Sequence, residues 1–269
     1  MHLIDEHCAH LVRLNRRPRT IEQRRWCLMR LGRHLAPGSL LDTTVHDLRS
    51  FTSRADFAIE TKAAEVGHLR SFFRWLVIEG LRDDDPTTRL ERPTREPGLP
   101  NPMPDEHVTH ALRNAPEPFR SWFYLAAYAG LRACEVAPLA GEDVTGGIII
   151  VREEKGGGMG TVPLSPILEP IVARHPRAGI WFPHRGYGPY GPVSPGQLQR
   201  HANRWLHDNG IEHTFHSLRH WFGTNVYRAT RDLRVTQELM RHKSIQSTIR
   251  YTKLFPDDGR HAIGLLPAV

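Results

Sequence analysis

Two arginines, a lysine, two histidines and a tyrosine (Arg132, Lys155, His216, Arg219, His242 and Tyr251) occur in settings that could gather them at one phosphate. Guanidinium groups that never deprotonate can hold non-bridging oxygens, and a titratable ammonium can give up a proton. Imidazoles can accept or donate one, and a phenol can attack phosphorus. Such a set suits metal-free attack on a phosphodiester. No single member establishes that chemistry; order and local setting carry it.

In FHSLRHWFGTNVY, from Phe215 to Tyr227, a helix would put His216 and Arg219 on one face and turn Leu218, Trp221, Phe222 and Val226 to the core. A helix surface with chance polar residues would read much the same taken alone. Arg132 follows the apolar stretch FRSWFYLAAYAG, where Gly130 permits a turn and Leu131, Cys134 and Val136 anchor the chain. Glu135 either pairs with Arg132 structurally or orients it. Lys155 lies in EEKGGGMG between two β-branched runs, GIIIV (147–151) and TVPL (161–164), which predict a β-hairpin with a glycine-rich tip. An exposed turn lysine is the plain alternative. His242 and Tyr251 stand nine residues apart in RHKSIQSTIRY; a tyrosine beside Ile249 and Leu254 is more often simply half-buried.

The elements that must position these groups follow from pattern. The 269 residues carry 36 Lys+Arg against 29 Asp+Glu, a formal charge of +7, with a pI of about 9.7. Only Lys62, Lys155, Lys243 and Lys253 are lysines. A GC-rich genome explains the Arg-to-Lys ratio but not the net charge, which favours a polyanionic partner. Three cysteines, Cys8, Cys27 and Cys134, make neither a disulfide framework nor a Cys-based zinc site. MHLIDEHCAH lacks a signal-peptide pattern and the aliphatic runs are too short to span a bilayer, so a soluble cytoplasmic protein is expected, with no membrane partner.

Prolines at 86, 93, 97, 100, 102 and 104 mark an interdomain linker (86–103) between a helical domain (1–85) and a second domain (104–269) whose tail starts at 252. The first domain shows helical spacing over Thr20–Leu35 (Ile21, Trp26, Met29, Leu31) and Val66–Ile78, and a helix start at Asp42–Thr44 with Asp47. Arg13, Arg16, Arg17, Arg19, Arg24, Arg25, Arg30 and Arg33 face a single acid, Glu22, in this stretch; the excess calls for an anionic screen, and phosphate contact is the reading preferred over a solvated face. Later helices are expected over Pro195–Asn209, Ser217–Ala229, Asp232–Arg241 and Ser244–Tyr251. The fold class is therefore mainly α with a small β-hairpin or sheet.

AGLRACE, KGGG between two short strands, HSLRH and RHKSIQSTIRY, in this order, resemble the tyrosine recombinases, the phage integrases and Xer-like site-specific recombinases. The resemblance covers Pro104 to Lys253, and the Arg-rich helical unit is similar in position to the family's core-binding (SAM-like) domain, ahead of an α+β catalytic domain. It implies that Tyr251 attacks the scissile phosphate to leave a 3′-phosphotyrosine, with no cofactor, metal or ATP. Arg132 and Arg219 would hold the phosphate oxygens, Lys155 would protonate the 5′-oxygen, His216 would be the base and His242 a phosphate hydrogen-bond donor. Glu135 would support them, and Arg13, Arg16, Arg17, Arg19, Arg24 and Arg25 would contact DNA. Double-stranded DNA bearing attachment or core sites, a homotetramer on DNA, and a directionality or host accessory factor are the implied partners, in a bacterial cytoplasm at the nucleoid. The family usually has glycine where Arg241 stands, which bears on the turn before His242.

A prophage integrase is placed ahead of an Xer-like resolvase, a type IB topoisomerase or a non-catalytic DNA-binding regulator. Gly186, Gly188 and Gly191 spell a dinucleotide-type pattern, but prolines surround it and no helix follows. His213, His216 and His220 do not stack cleanly as zinc ligands. The apolar end of the tail would dock on a neighbouring protomer by resemblance; packing on its own domain and a degradation signal are the alternatives.

Overall fold

The computed structural model describes residues 2–54, 57–94, 98–152, 159–184 and 191–255. They fall into two compact units, 1–97 and 98–269.

The first unit is helical: α1 (His2–Arg13), α2 (Pro18–Leu35), α3 (Val45–Thr52) and α4 (Ile59–Ile78). Pro18 opens α2, its missing N–H being an orphan there in any case. Thr44 caps α3 through a capping box with Asp47, as the sequence anticipates. The core joins Cys27, Leu28 and Leu31 of α2 to Leu48, Phe51, Val66, Leu69, Phe72, Phe73 and Leu76. Trp26 and Met29, expected inside, are exposed, because α2 turns Cys27, Leu28 and Leu31 inward instead. The proline-rich stretch begins as a 3₁₀ turn (Pro86–Arg89) capped by Asp85, with Pro86, Thr87 and Leu90 buried in this unit.

The Arg-rich face is less bare than its sequence implies. Arg25 pairs with Asp5 of α1, Arg30 with Glu65 of α4, and Arg19 with Glu22 at 2.7 Å, while Arg24 donates to Ser71 at 2.6 Å. Beyond Glu22, the screening acids Asp5 and Glu65 come from other helices, which linear spacing cannot reveal. Arg13 and Arg16 are exposed and Arg17 is half-buried.

The second unit contains α5 (Asp105–Asn114), α6 (Phe119–Tyr128), α7 (Ala133–Val136), α8 (Glu169–Val172), α9 (Pro195–Asp208), α10 (Phe215–Thr230), α11 (Leu233–Met240) and α12 (Gln246–Ile249). A three-stranded antiparallel sheet joins β1 (Val144–Thr145), β2 (Ile148–Arg152) and β3 (Met159–Pro163), with Ile149 opposite Val162 and Val151 opposite Gly160. Ile149, Val151 and Val162 face the core, so the hairpin register follows the alternation of its side chains. Lys155, expected at a hairpin tip, lies outside the described residues, as do the glycines at 186 and 188 and the tail from 256.

Helix α6 is the spine of this core, with Phe123, Leu125, Ala126 and Ala127 buried, and α10 packs along it. Gly130 ends the α6 segment at φ +59°, and a Cβ there would come within 2.4 Å of the Phe222 ring. Both facts demand glycine. Gly130→Ala is expected to destabilise the unit by about 3 kcal/mol, combining left-handed strain with overpacking, and a thermal melt reads it directly. Helix α10 departs from expectation: Trp221, Phe222 and Val226 are only half-buried, whereas Ser217, Arg219, Gly223, Thr224 and Tyr227 are buried beside Leu218. The helix is covered on two sides, and the second cover is the polar site. Only Gln246–Ile249 of the helix expected over 244–251 is formed.

Candidate active site

The chain leaves α6, turns at Gly130, buries Leu131 and presents Arg132 in extended conformation at the N-cap of α7. Glu135, one turn into α7, accepts both the Arg132 backbone N–H and its guanidinium Nη1, each at 2.7 Å. Orientation and pairing, left open by the sequence, are thus the same interaction.

Glu135 also holds two more guanidinium groups. Arg241 Nη2 lies 2.8 Å from Oε2, and Arg219 Nη1 lies 3.7 Å from the same oxygen. Burial pushes the Glu135 carboxyl up, but Arg241, the Arg132 N–H, Arg219 and Arg132 outweigh it and hold it below the usual carboxylate range. Three cations around one carboxylate leave two positive charges over among these four groups. A phosphodiester would supply one negative charge.

Arg219 is 1 % exposed and donates to the Gly130 and Met240 carbonyls, tying the end of α6 to the end of α11. Burial, then Arg132 and Arg241, lower its pKa to about 9, so it stays charged at neutral pH. Arg241 adopts the left-handed conformation at φ +51°, a region that favours glycine, the residue the resemblance led one to expect here. Its side chain offsets that strain through Glu135, the Gly130 carbonyl at 3.0 Å and the Leu239 carbonyl at 2.9 Å. Its stem packs on Gly160, where a Cβ would come within 2.9 Å of Arg241 Cδ.

That turn delivers His242. Its Nδ1 is 2.9 Å from the hydroxyl of buried Thr248, which leaves Nε2 as the nitrogen able to reach a phosphate. Burial and then Arg219, Arg132, His220 and Arg241 push its pKa down to about 3. His216 stands at the exposed lip of the site, yet is crowded enough that lost hydration, followed by Arg219, Arg132 and Arg250, lowers its pKa as well. The imidazoles are therefore neutral at pH 7.

Tyr251 is 2 % exposed. Its ring rests on Gly223 of α10, where a Cβ would lie 2.8 Å from Cζ, and its hydroxyl is 3.0 Å from Nδ1 of His220. Burial drives the phenol up to about 12, against the pull of Arg219, Arg250 and Arg132. Sequence reasoning assigned the phenol's proton to His216; the hydroxyl meets His220 instead. His216 lies edge-on behind, with ring centroids 4.7 Å from those of His220.

The structure thus gathers Arg132, Glu135, His216, Arg219, His242 and Tyr251, and adds His220, Arg241 and Thr248. HSLRH offered a signal for His220, the i+4 neighbour of His216. Arg241 was visible as a departure from glycine; Thr248 gave none. No group of three metal-ligating side chains occurs among the described residues, and no described helix is long and apolar enough to cross a membrane.

Glu135→Gln keeps the shape and removes the charge that binds three guanidinium groups together. The second unit is expected to lose about 3 kcal/mol, and added sulfate should restore part of the melting temperature by replacing the anion.

The phage integrase family model matches residues 105–257, which span every element of this site. The chain belongs to that family. A tyrosine recombinase XerC of Rhodospirillum centenum is 31% identical over 252 residues, covering 85% of this chain and 73% of the relative. The integrase of mycobacterium phage Brujita is 28% identical, covering 99% of this chain and 94% of its own, at a TM-score of 0.50. The fold is also that of lambda integrase. Its dimer bound to a COC′ core site gives a TM-score of 0.76 at 18% identity, covering 93% of this chain and 76% of that one. Its tetramer bound to a Holliday junction gives 0.73 at 17%, covering 90% and 77%. Within the site, the Glu135 carboxylate is engaged by Arg132, Arg219 and Arg241.

Proposed function

We propose that this chain is a site-specific recombinase of the integrase type that cuts DNA through Tyr251 and rejoins it without metal or ATP. The carrying observation is the seat of Tyr251, whose hydroxyl sits beside neutral imidazoles and near Arg219 and Arg132 in a site with more positive charge than its carboxylate neutralises. Arg132 and Arg219 hold the non-bridging oxygens and stabilise the five-coordinate transition state. His242 donates from Nε2 to the phosphate, and Lys155 protonates the departing 5′-oxygen. Tyr251 keeps the 3′-phosphate as an ester, and a 5′-hydroxyl from another strand attacks it in the return step.

The first, helical unit grips double-stranded DNA through phosphate contacts from Arg13, Arg16 and Arg17 foremost, with Arg19, Arg24 and Arg25 beside them. Four protomers act on paired core sites in a bacterial cytoplasm, with an accessory factor setting direction. The XerC relative, at 31% identity, favours a second reading: a chromosome or plasmid resolvase.

The test uses the inverted-repeat core beside the gene as a nicked suicide substrate. Wild-type protein should form an SDS-resistant adduct in excess EDTA and then join the strand to a second duplex. Relaxation of plasmids lacking the core, with no joining, would replace this reading with a topoisomerase.

A further inference from the structure

We infer that His220 is a catalytic residue: its Nδ1 accepts the Tyr251 proton as the phenol attacks. The inference rests on the recombinase reading above and assigns the proton within it. His220 Nδ1 and the Tyr251 hydroxyl are 3.0 Å apart, within transfer distance, and no hydrogen bond joins His216 to Tyr251 among the described residues. The other groups facing the phenol are poor acceptors. Arg219 and Arg250 are cations, and Nδ1 of His242 is engaged with Thr248. His220 is itself neutral, its pKa lowered to about 4 by burial, then His216, Arg250 and Arg219. With its hydrogen on Nε2, it offers Nδ1 as an acceptor, and the phenol donates. A phenol pushed up to about 12 needs such a partner to react near neutrality.

In the step, the Tyr251 O–H bond breaks and its proton passes to His220 Nδ1 while the phenolic oxygen bonds to phosphorus. The P–O5′ bond breaks with its electron pair on the 5′-oxygen, which takes a proton from the general acid, Lys155 in the reading above. In the return step the 5′-hydroxyl gives its proton to the same group, now deprotonated, as its oxygen bonds to phosphorus; the phosphotyrosine P–O bond breaks and His220 returns its proton to Tyr251. His216, edge-on to His220, is exposed to solvent and takes no part in the transfer.

Two variants separate proton transfer from positioning. His220→Ala removes the imidazole, and His220→Asn keeps an acceptor near Nδ1 that cannot hold a proton. Both are assayed on the suicide substrate, with Tyr251 either native or replaced by the more acidic 2,3-difluorotyrosine. Both variants should slow adduct formation by ~10²-fold or more with DNA binding within about twofold, and the defect should shrink at least ~5-fold in the fluorinated protein. A near wild-type rate for either variant, an equal defect with both tyrosines, or a fluorine-sensitive defect in His216→Ala in place of His220→Ala would overturn the inference. Absence of adduct from wild-type protein would instead sink the recombinase reading on which it rests.

Discussion

Tyr251→Phe should abolish the covalent protein–DNA adduct, lowering its rate by ~10⁴-fold or more, while folding and DNA binding stay close to wild type. The phenol oxygen makes one described hydrogen bond, to His220, whose loss costs about 1 kcal/mol. The ring keeps its seat on Gly223 and Met240, which depends on shape and not on the hydroxyl. A gel of the suicide reaction beside a thermal melt and a binding titration measures all three quantities. Undiminished adduct would remove Tyr251 from the chemistry.

Arg219→Met has the second-largest expected effect, and its two halves point in opposite directions. Cleavage should fall by ~10³-fold or more, since a buried guanidinium facing the transition-state charge is worth several kcal/mol and a thioether cannot replace it. Stability should fall much less than usual for a buried charge, by about 1–2 kcal/mol. Removing one of three cations around Glu135 relieves repulsion while Arg132 and Arg241 keep the carboxylate paired. The Gly130 carbonyl also retains Arg241 as a donor; the Met240 carbonyl loses its Arg219 bond. Single-turnover cleavage and chemical denaturation of the same preparation test the contrast. An unfolded variant would mean that Arg219 is chiefly structural.

Sequence patterns carried the local features. The capping box at Thr44 and Asp47, the buried helix before Gly130 and the paired strands 148–152 and 159–163 are each set within a dozen residues, and each was legible. The α1 helix was not read, since Ile4, Cys8 and Leu11 face inward on a stretch that is otherwise polar. In α10, hydrophobicity misdirected the reading: Arg219 is buried because two backbone carbonyls and Glu135 receive it, while Trp221 stays half-exposed with its indole bonded to Asp105. The same limit hid Asp5 and Glu65 as partners of the α2 arginines.

At the site, the types were legible and the wiring was not. The resemblance implied His216 as the base and gave His220 no such role, yet one helical turn decides which imidazole meets a tyrosine 31 residues further on. Ser244–Tyr251 read as a helix, but it forms only over Gln246–Ile249, with the Thr248 hydroxyl committed to His242. Arg241 sits in a glycine-like turn because its side chain bonds Glu135, more than a hundred residues away. None of these pairings has a local signature.

The most direct measurement is the identity of the residue that carries the DNA. The adduct formed on the suicide substrate is digested with nuclease and trypsin, and the nucleotide-bearing peptide is sequenced by mass spectrometry. The expected product is the fragment Tyr251–Lys253 with a 3′-phosphoryl nucleotide on the phenolic oxygen. Attachment at another residue, or cleaved strands ending in free 3′-phosphate with no peptide attached, would contradict it.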